Sequence, residues 1–220
     1  MARPGGIGRS CPQVAAKSYP CSASSTAPTA EILAATASAI SRVGPDRLTL
    51  SAVAAEANLA AATLVQRFGS KRGLLLAFSR RATGESAARF ATRRARHASP
   101  LAALRAALLG MARGIGRPEE LTNHLAFLQL ELVDPDFHRH TLDHANAMLA
   151  QIRALLADSV ASSELAPCDL TRFARSLYVS YNGALVSWAI LRSGTLTQWL
   201  GRQLDFLIAP HRVQRAVACE

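Results

Sequence analysis

A short stretch near the amino terminus concentrates side chains that could bind nucleic acid. Within nine consecutive residues it carries a hydroxyl, an amide, a guanidinium and an ammonium group, on Thr63, Gln66, Arg67 and Lys71. The hydroxyl and the amide can hydrogen-bond to bases or to the sugar-phosphate backbone. The guanidinium of Arg67 can bind a phosphate or a guanine, and the ammonium of Lys71 can bind a phosphate.

Neighbouring residues suit the same partner. Ala61, Ala62 and Val65 can make only apolar contacts, for which the methyl group of thymine is the natural partner. Thr49 lies at the predicted start of the preceding helix, where its side chain and the backbone N–H groups could bind a phosphate. Ser51, in the first turn of that helix, could reach the edge of a DNA groove.

Other chemistry has less support in the sequence. His140 and His144 lie one helical turn apart, near Asp136 and Asp143, but the sequence fixes no third ligand for a metal ion. No phosphate-binding glycine loop, nucleophile elbow or dinucleotide fingerprint is present. We therefore predict no metal site, no cofactor and no catalytic residues, so that the chain is not an enzyme.

Composition and charge limit the function classes. No apolar run approaches the ~20 residues of a membrane span, and the four cysteines form no CxxC pair, which favours reduced thiols in the cytoplasm. Residues 1–97 hold 14 Lys and Arg against four Asp and Glu, whereas residues 98–220 hold 11 of each. The whole net charge of +10 is thus amino-terminal, as expected for a polyanion-binding module joined to a neutral one.

The elements around the polar stretch are helical. The 43 alanines favour an all-α chain, and the apolar spacing predicts a first helix over about 28–43, ended by Gly44-Pro45. Two short helices follow, one begun by Thr49 and one over about 61–67, joined at Asn58, where the chain needs a left-handed residue. This arrangement matches a helix-turn-helix unit.

Residues 29–79 resemble the DNA-binding domain of TetR-family transcriptional regulators. The matching features are a Thr-x-x-x-Val-Ala stretch, the Thr63-Leu64 pair, Phe68, and a Ser-Lys pair leading into Leu74-Leu75. The sequence departs from the family pattern at Val65, where an aromatic residue that holds a phosphate is usual. It also departs at the turn, where Asn58 replaces glycine, and at Ala60, where a polar residue is usual.

The domain organisation predicted from these features has three parts. Residues 1–25 are expected to form a flexible basic arm, residues 26–75 the helix-turn-helix DNA-binding domain, and residues 76–220 a helical ligand-binding and dimerisation domain. In the last part Pro100, Pro118 and Pro167 are expected to begin helices. The final helix should end near Ala209-Pro210.

The resemblance implies that the second domain forms a homodimer and binds a small molecule. Apolar residues at coiled-coil-like spacing on the last two helices indicate a dimer interface, with candidate residues Tyr181, Leu185, Trp188, Leu196, Trp199 and Leu200. The ligand site follows from the resemblance alone. Its candidate residues are Met111, His124, Phe127, Phe137, Met148, Tyr178 and Asn182.

Three functions fit the sequence. The first is a TetR-like, sequence-specific regulator of transcription, a repressor released from an operator by an unknown small molecule. The second is an all-helical small-molecule-binding protein or enzyme that has lost DNA binding, which the valine in place of the usual aromatic residue favours. The third is a metal-sensing variant that uses His140 and His144.

Overall fold

The computed structural model describes residues 28–213. Within this range the chain forms nine α-helices, a terminal turn of 3₁₀ helix and no strands. The helices are α1 (Thr29–Arg47), α2 (Leu50–Glu56), α3 (Ala61–Phe68), α4 (Lys71–Arg96), α5 (Pro100–Met111), α6 (Pro118–Val133), α7 (Pro135–Ala161), α8 (Leu170–Leu191) and α9 (Leu196–Ile208). The all-α prediction is confirmed. The arm predicted for residues 1–25 lies outside the described residues.

Local residue types explain where the amino-terminal helices begin and end. Thr49 caps α2, because its hydroxyl accepts a hydrogen bond from the N–H of Ala52 at 3.1 Å. Ser70 caps α4 in the same way, accepting from the N–H of Gly73 at 3.1 Å. The first helix path breaks at Gly44, whose φ of +77° is left-handed. The predicted stop therefore lies at the right residue, although a short turn continues to Arg47.

The start of α8 differs from the prediction. Pro167 lies in a loop rather than at a helix start, and α8 begins at Leu170. Asp169 fixes this start, because its carboxylate accepts hydrogen bonds from two successive backbone N–H groups at 3.1 and 3.0 Å. The residue before the proline pairs instead with the 3₁₀ turn that follows α9: the N–H of Ala166 donates to the carbonyl of His211 at 2.8 Å.

Two apolar clusters hold the helices together. The first, which we call the head core, joins α1–α4 through Ile40, Val53, Leu64 and other buried side chains, and it extends to Phe127 of α6 and Phe137 of α7. The second, the body core, is formed by α4 to α9 and contains fully buried residues such as Leu104 and Ile152. Neither α2 nor α3 is long enough to be stable alone, so burial in the head core must fix both.

The two cores meet along α1, α4, α6 and α7. Helix α4 packs along α7, and α1 packs along α6. A side-chain amide fixes the second contact, since Nδ2 of Asn123 donates to the carbonyl of Ser41 at 2.8 Å. The α1–α3 unit is therefore packed against the helices that follow it.

Candidate nucleic-acid interface

The turn between α2 and α3 has the geometry that its residue types predict. Asn58 has φ +54°, a left-handed conformation that Asn tolerates. The N–H of Leu59 then donates to the carbonyl of Ala54 at 2.8 Å, which closes the turn tightly. The methyl side chain of Ala54 is buried where the two helices meet. The predicted helix-turn-helix unit is present.

Helix α3 is buried on one side only. Leu64 is fully buried and anchors the helix in the head core. Val65 is 49% exposed, and Ala62, Gln66 and Arg67 are also exposed. The remaining predicted contact residues of this helix, Ala61 and Thr63, are half-buried. The face that remains accessible thus offers one amide, one guanidinium and small apolar groups to a groove.

The predicted phosphate-binding groups lie at the ends of the neighbouring helices. The Oγ of Thr49 already caps α2, and Ser51 of the first turn is exposed. Lys71 is half-buried, and its Nζ donates a hydrogen bond to the carbonyl of Asp46 at 2.8 Å. That contact fixes the ammonium at the corner between α1 and α2. An ammonium group has three donors, so two remain for a phosphate.

The sequence interpretation missed two residues that position this face. A Cβ on Gly73 would collide with the backbone carbonyl of Phe68, so only glycine allows α4 to begin so close to the end of α3. The preceding residue, Arg72, joins the start of α4 to the α6–α7 turn. Its Nη2 contacts the carboxylates of Asp134 at 2.9 Å and Asp136 at 2.8 Å.

The contacts of Arg72 include an aromatic ring and change the pKa of a neighbouring carboxyl. The guanidinium lies over the ring of Phe137 at 5.6 Å from its centroid. Its hydrogen bonds hold the pKa of the Asp134 carboxyl below its usual value. A glycine in the first turn after the capping Ser70 was a usable sequence signal for the tight start of α4. The acidic partners of Arg72 lie about 60 residues further along the chain, so spacing could not predict that contact.

Two concave spaces lie between the helices. The first is a groove beside α3 with a volume of about 820 Å³. The second lies where α1 faces α4, α6 and α8; its volume is about 780 Å³, and it is lined mainly by apolar side chains. Of the predicted ligand-binding residues, Met111, His124 and Asn182 line the second space. Tyr181 and Leu185, which the sequence assigned to a dimer interface, line it as well.

The other predicted ligand-binding residues lie elsewhere. Phe127 and Phe137 belong to the head core, where their rings meet edge to face at 6.2 Å. Met148 is buried in the body core, and Tyr178 packs half-buried against it. These four side chains pack among neighbouring helices and do not line the second space, so their role in ligand binding stays a prediction.

Four of the six predicted dimer residues are buried within the single chain. Trp188, Leu196 and Leu200 are buried within the chain, and Nε1 of Trp188 donates to the carbonyl of Gly194 at 3.0 Å. Tyr181 is buried too, while Trp199 is half-buried. The apolar seam joins α8 to α9 and to the body core of the same chain, so the four buried side chains are covered without a partner, and the interface formed by the six residues stays a prediction. The exposed apolar residues of these helices are Val179, Val186, Ile190, Leu191 and Phe206.

The arrangement of metal-ligating side chains bears on the metal-sensing hypothesis, and the composition of the helices bears on membrane insertion. Among residues 28–213, no group of three or more His, Cys, Asp or Glu side chains could hold a metal ion. His140 and His144 are both half-buried, and burial lowers the pKa of His144. Across the same part of the chain, none of the helices combines the length and apolar character that a bilayer crossing requires.

The fold and this face define the class: an all-α protein with an amino-terminal helix-turn-helix domain. Residues 32–78 match the family model described as bacterial regulatory proteins, tetR family. The fold agrees over most of the chain with that of TetR regulators. The amino-terminal domain thus matches the tetR family in sequence, and the remainder of the chain is similar to TetR regulators in fold.

Three solved structures illustrate the similarity of fold. A TetR transcription regulator from Haloarcula marismortui is 18% identical with TM-score 0.69, over 84% of this chain and 98% of that one. SmeT, the repressor of a multidrug efflux pump of Stenotrophomonas maltophilia, is 18% identical with TM-score 0.61, over 89% and 98%. FadR from Bacillus subtilis, solved with stearoyl-CoA, is 16% identical with TM-score 0.62, over 83% and 98%. No curated protein matches the chain.

Proposed function

We propose that the protein is a homodimeric, sequence-specific regulator of transcription that represses its target and leaves the operator when a small molecule binds. The observation that carries the proposal is the one-sided burial of α3, which leaves Val65, Gln66 and Arg67 exposed beside the positively charged start of α4. Such a face suits a major groove flanked by phosphates. This role would place the protein in the cytoplasm, with the DNA.

DNA binding is tested directly by a gel shift of the full chain against the DNA that flanks its own gene, over a salt series. We expect retention that weakens steeply as salt rises, because phosphate contacts release counterions. The alternative, a small-molecule-binding protein or enzyme without DNA binding, requires that no duplex be retained even at the lowest salt. Binding that does not change with salt would contradict phosphate-dominated recognition.

The exposed side chains of α8 and α9 support the homodimer. Ile190 is 74% exposed and Phe206 is 77% exposed, and exposed large apolar side chains on two packed helices suit a two-fold interface that would cover them. We expect Ile190→Glu with Phe206→Glu to halve the mass measured by light scattering. Leu132→Glu on α6, where an exposed apolar side chain lies on another helix, is the matched control and should leave the mass unchanged. An unchanged mass in the double variant would refute this interface.

Release by a ligand is supported by the cavity between α1 and α6. Arg42 of α1 lines the cavity and also forms an ion pair with Glu56, at the end of α2, at 2.7 Å. A molecule in the cavity therefore contacts a side chain that holds the helix-turn-helix unit. The ligand changes DNA affinity only if it binds the free and the DNA-bound states with different affinities.

A further inference from the structure

The cavity between α1 and α6 has walls that suit an apolar molecule. We call it the α1–α6 cavity. Its volume of about 780 Å³ falls in the range of small-molecule sites. The side chains that form most of its surface are apolar and come from four helices; they include Phe78, Met111, Leu121, Leu125, Leu128 and Leu185. A ligand that fills the cavity must therefore have a largely apolar body.

Most charged groups at the cavity are already neutralised within the protein. Arg42 pairs with Glu56 at 2.7 Å. Arg117 contacts Glu120 at 3.2 Å, and the same carboxylate accepts from the N–H of Gly116 at 2.7 Å. The two acidic residues that line the cavity, Glu85 and Glu120, both have arginine partners at hydrogen-bond distance. No carboxylate of the cavity therefore needs a cation from the ligand.

Two further lining side chains, Arg89 and Tyr181, carry hydrogen-bond donors. Nη2 of Arg89 lies 3.8 Å from the nearest oxygen of Glu85, too far for a hydrogen bond. Tyr181 is another lining residue, and its phenol hydroxyl can donate a hydrogen bond. Burial raises the pKa of Tyr181, and the charge of Arg89 acts on the same hydroxyl in the opposite direction. The phenol is thus protonated at neutral pH and can donate.

We propose that the α1–α6 cavity binds an organic anion, with its acidic group at Arg89 and Tyr181 and its apolar body against α6 and α8. The inference rests on the proposed function only for its biological purpose, since binding itself needs no DNA. An anionic oxygen would receive one hydrogen bond from the guanidinium and one from the phenol. Hydrogen bonds to a charged group are stronger than those between neutral groups, so the acidic group sets the specificity.

The test compares matched probes that share one body and differ in one terminal group. Titration calorimetry with the full chain measures binding of 4-phenylbutanoate, 4-phenylbutan-1-ol and 4-phenylbutylamine, together with the eight-carbon acid, alcohol and amine. We expect each carboxylate to bind about 10-fold more tightly than its alcohol, and more tightly still than its amine. Equal affinities, a preference for the amines, or no binding by any member of either series would overturn the proposal.

Substitutions show which side chains cause the preference for the carboxylate. Arg89→Gln should abolish the advantage of the carboxylate, and Tyr181→Phe should reduce it while keeping the buried ring. Arg96→Gln removes the same charge from an exposed position at the end of α4 and should leave the advantage intact. A preference that survives Arg89→Gln refutes the assignment.

DNA binding is measured in the same preparations. If the carboxylates bind as expected but leave DNA affinity unchanged, the proposal that a ligand releases the protein from DNA is refuted, whereas the proposed anion site is supported. If only the amines release DNA, the proposed anion site is refuted, whereas the proposal that a ligand releases the protein from DNA is supported.

Discussion

Lys71 offers a sharp test of phosphate binding because the structure fixes its ammonium group. The Nζ donates to the carbonyl of Asp46 at 2.8 Å, which leaves two donors at the corner between α1 and α2. Lys71→Met keeps most of the aliphatic stem and removes the charge. A dimer would lose two phosphate contacts, and each contributes about 0.9 to the slope of log K against log salt. The magnitude of the slope should fall by about 1.8.

The assay is fluorescence anisotropy of a labelled duplex between 50 and 200 mM salt. Over this fourfold range, a slope change of about 1.8 makes the decline in affinity about 12-fold smaller for the variant than for the parent protein. Arg153→Met is the matched control: it also removes one positive charge, from an exposed residue of α7 about 18 residues beyond the start of that helix, or ~27 Å along its axis. An unchanged slope in Lys71→Met, or an equal change in Arg153→Met, would refute the phosphate contact.

Three further predictions concern single positions. Gly44→Ala should lower the free energy of unfolding, measured in urea, by about 1 kcal/mol or more, because φ is +77° and the new Cβ would lie 2.8 Å from Oδ1 of Asn123. Gly84→Ala is the control: this glycine lies inside a helix with open space around it, so the substitution should raise the free energy of unfolding by about 0.5–1 kcal/mol. Burial lowers the pKa of His124 from its usual 6.5, so the unfolded chain takes up a proton that the folded chain does not as pH falls below about 6.5. Stability should therefore decline with falling pH by at most about 1.4 kcal/mol per unit for this group, and thermal melts of His124→Gln should show a shallower decline. Val65→Tyr should tighten binding to all duplexes about 10-fold by adding a phosphate-binding hydroxyl to an exposed site, whereas Val65→Phe should not; equal effects would show that the hydroxyl is not involved.

Short-range interactions made the helix boundaries of the helix-turn-helix domain predictable from the sequence. Thr49 and Ser70 cap helices because their hydroxyls satisfy backbone N–H groups only a few residues away. Asn58 was recognisable for a similar reason, since few residues tolerate a left-handed turn. The interactions that specify these boundaries lie within one turn of the chain, so residue type and spacing contain most of the information.

Interactions between distant segments were not predictable in this way. Periodicity showed that Trp188 and Leu200 are buried, but it could not show whether the buried contact is made by the same chain or by a partner. Phe127 and Phe137 could not be assigned from the sequence to the head core rather than to a cavity. The start of α8 was misplaced because a proline is compatible with a first turn, whereas the cap at Asp169 decides the boundary.

The central claim is that a dimer presents two copies of α3 to one duplex. Hydroxyl-radical footprinting of the full chain on the DNA that flanks its own gene tests it most directly. We expect two related protected half-sites, with centres about 10 base pairs or a whole multiple of that distance apart. A lack of protection in dilute buffer, or protection of one isolated half-site by a single subunit, would contradict this mode of binding.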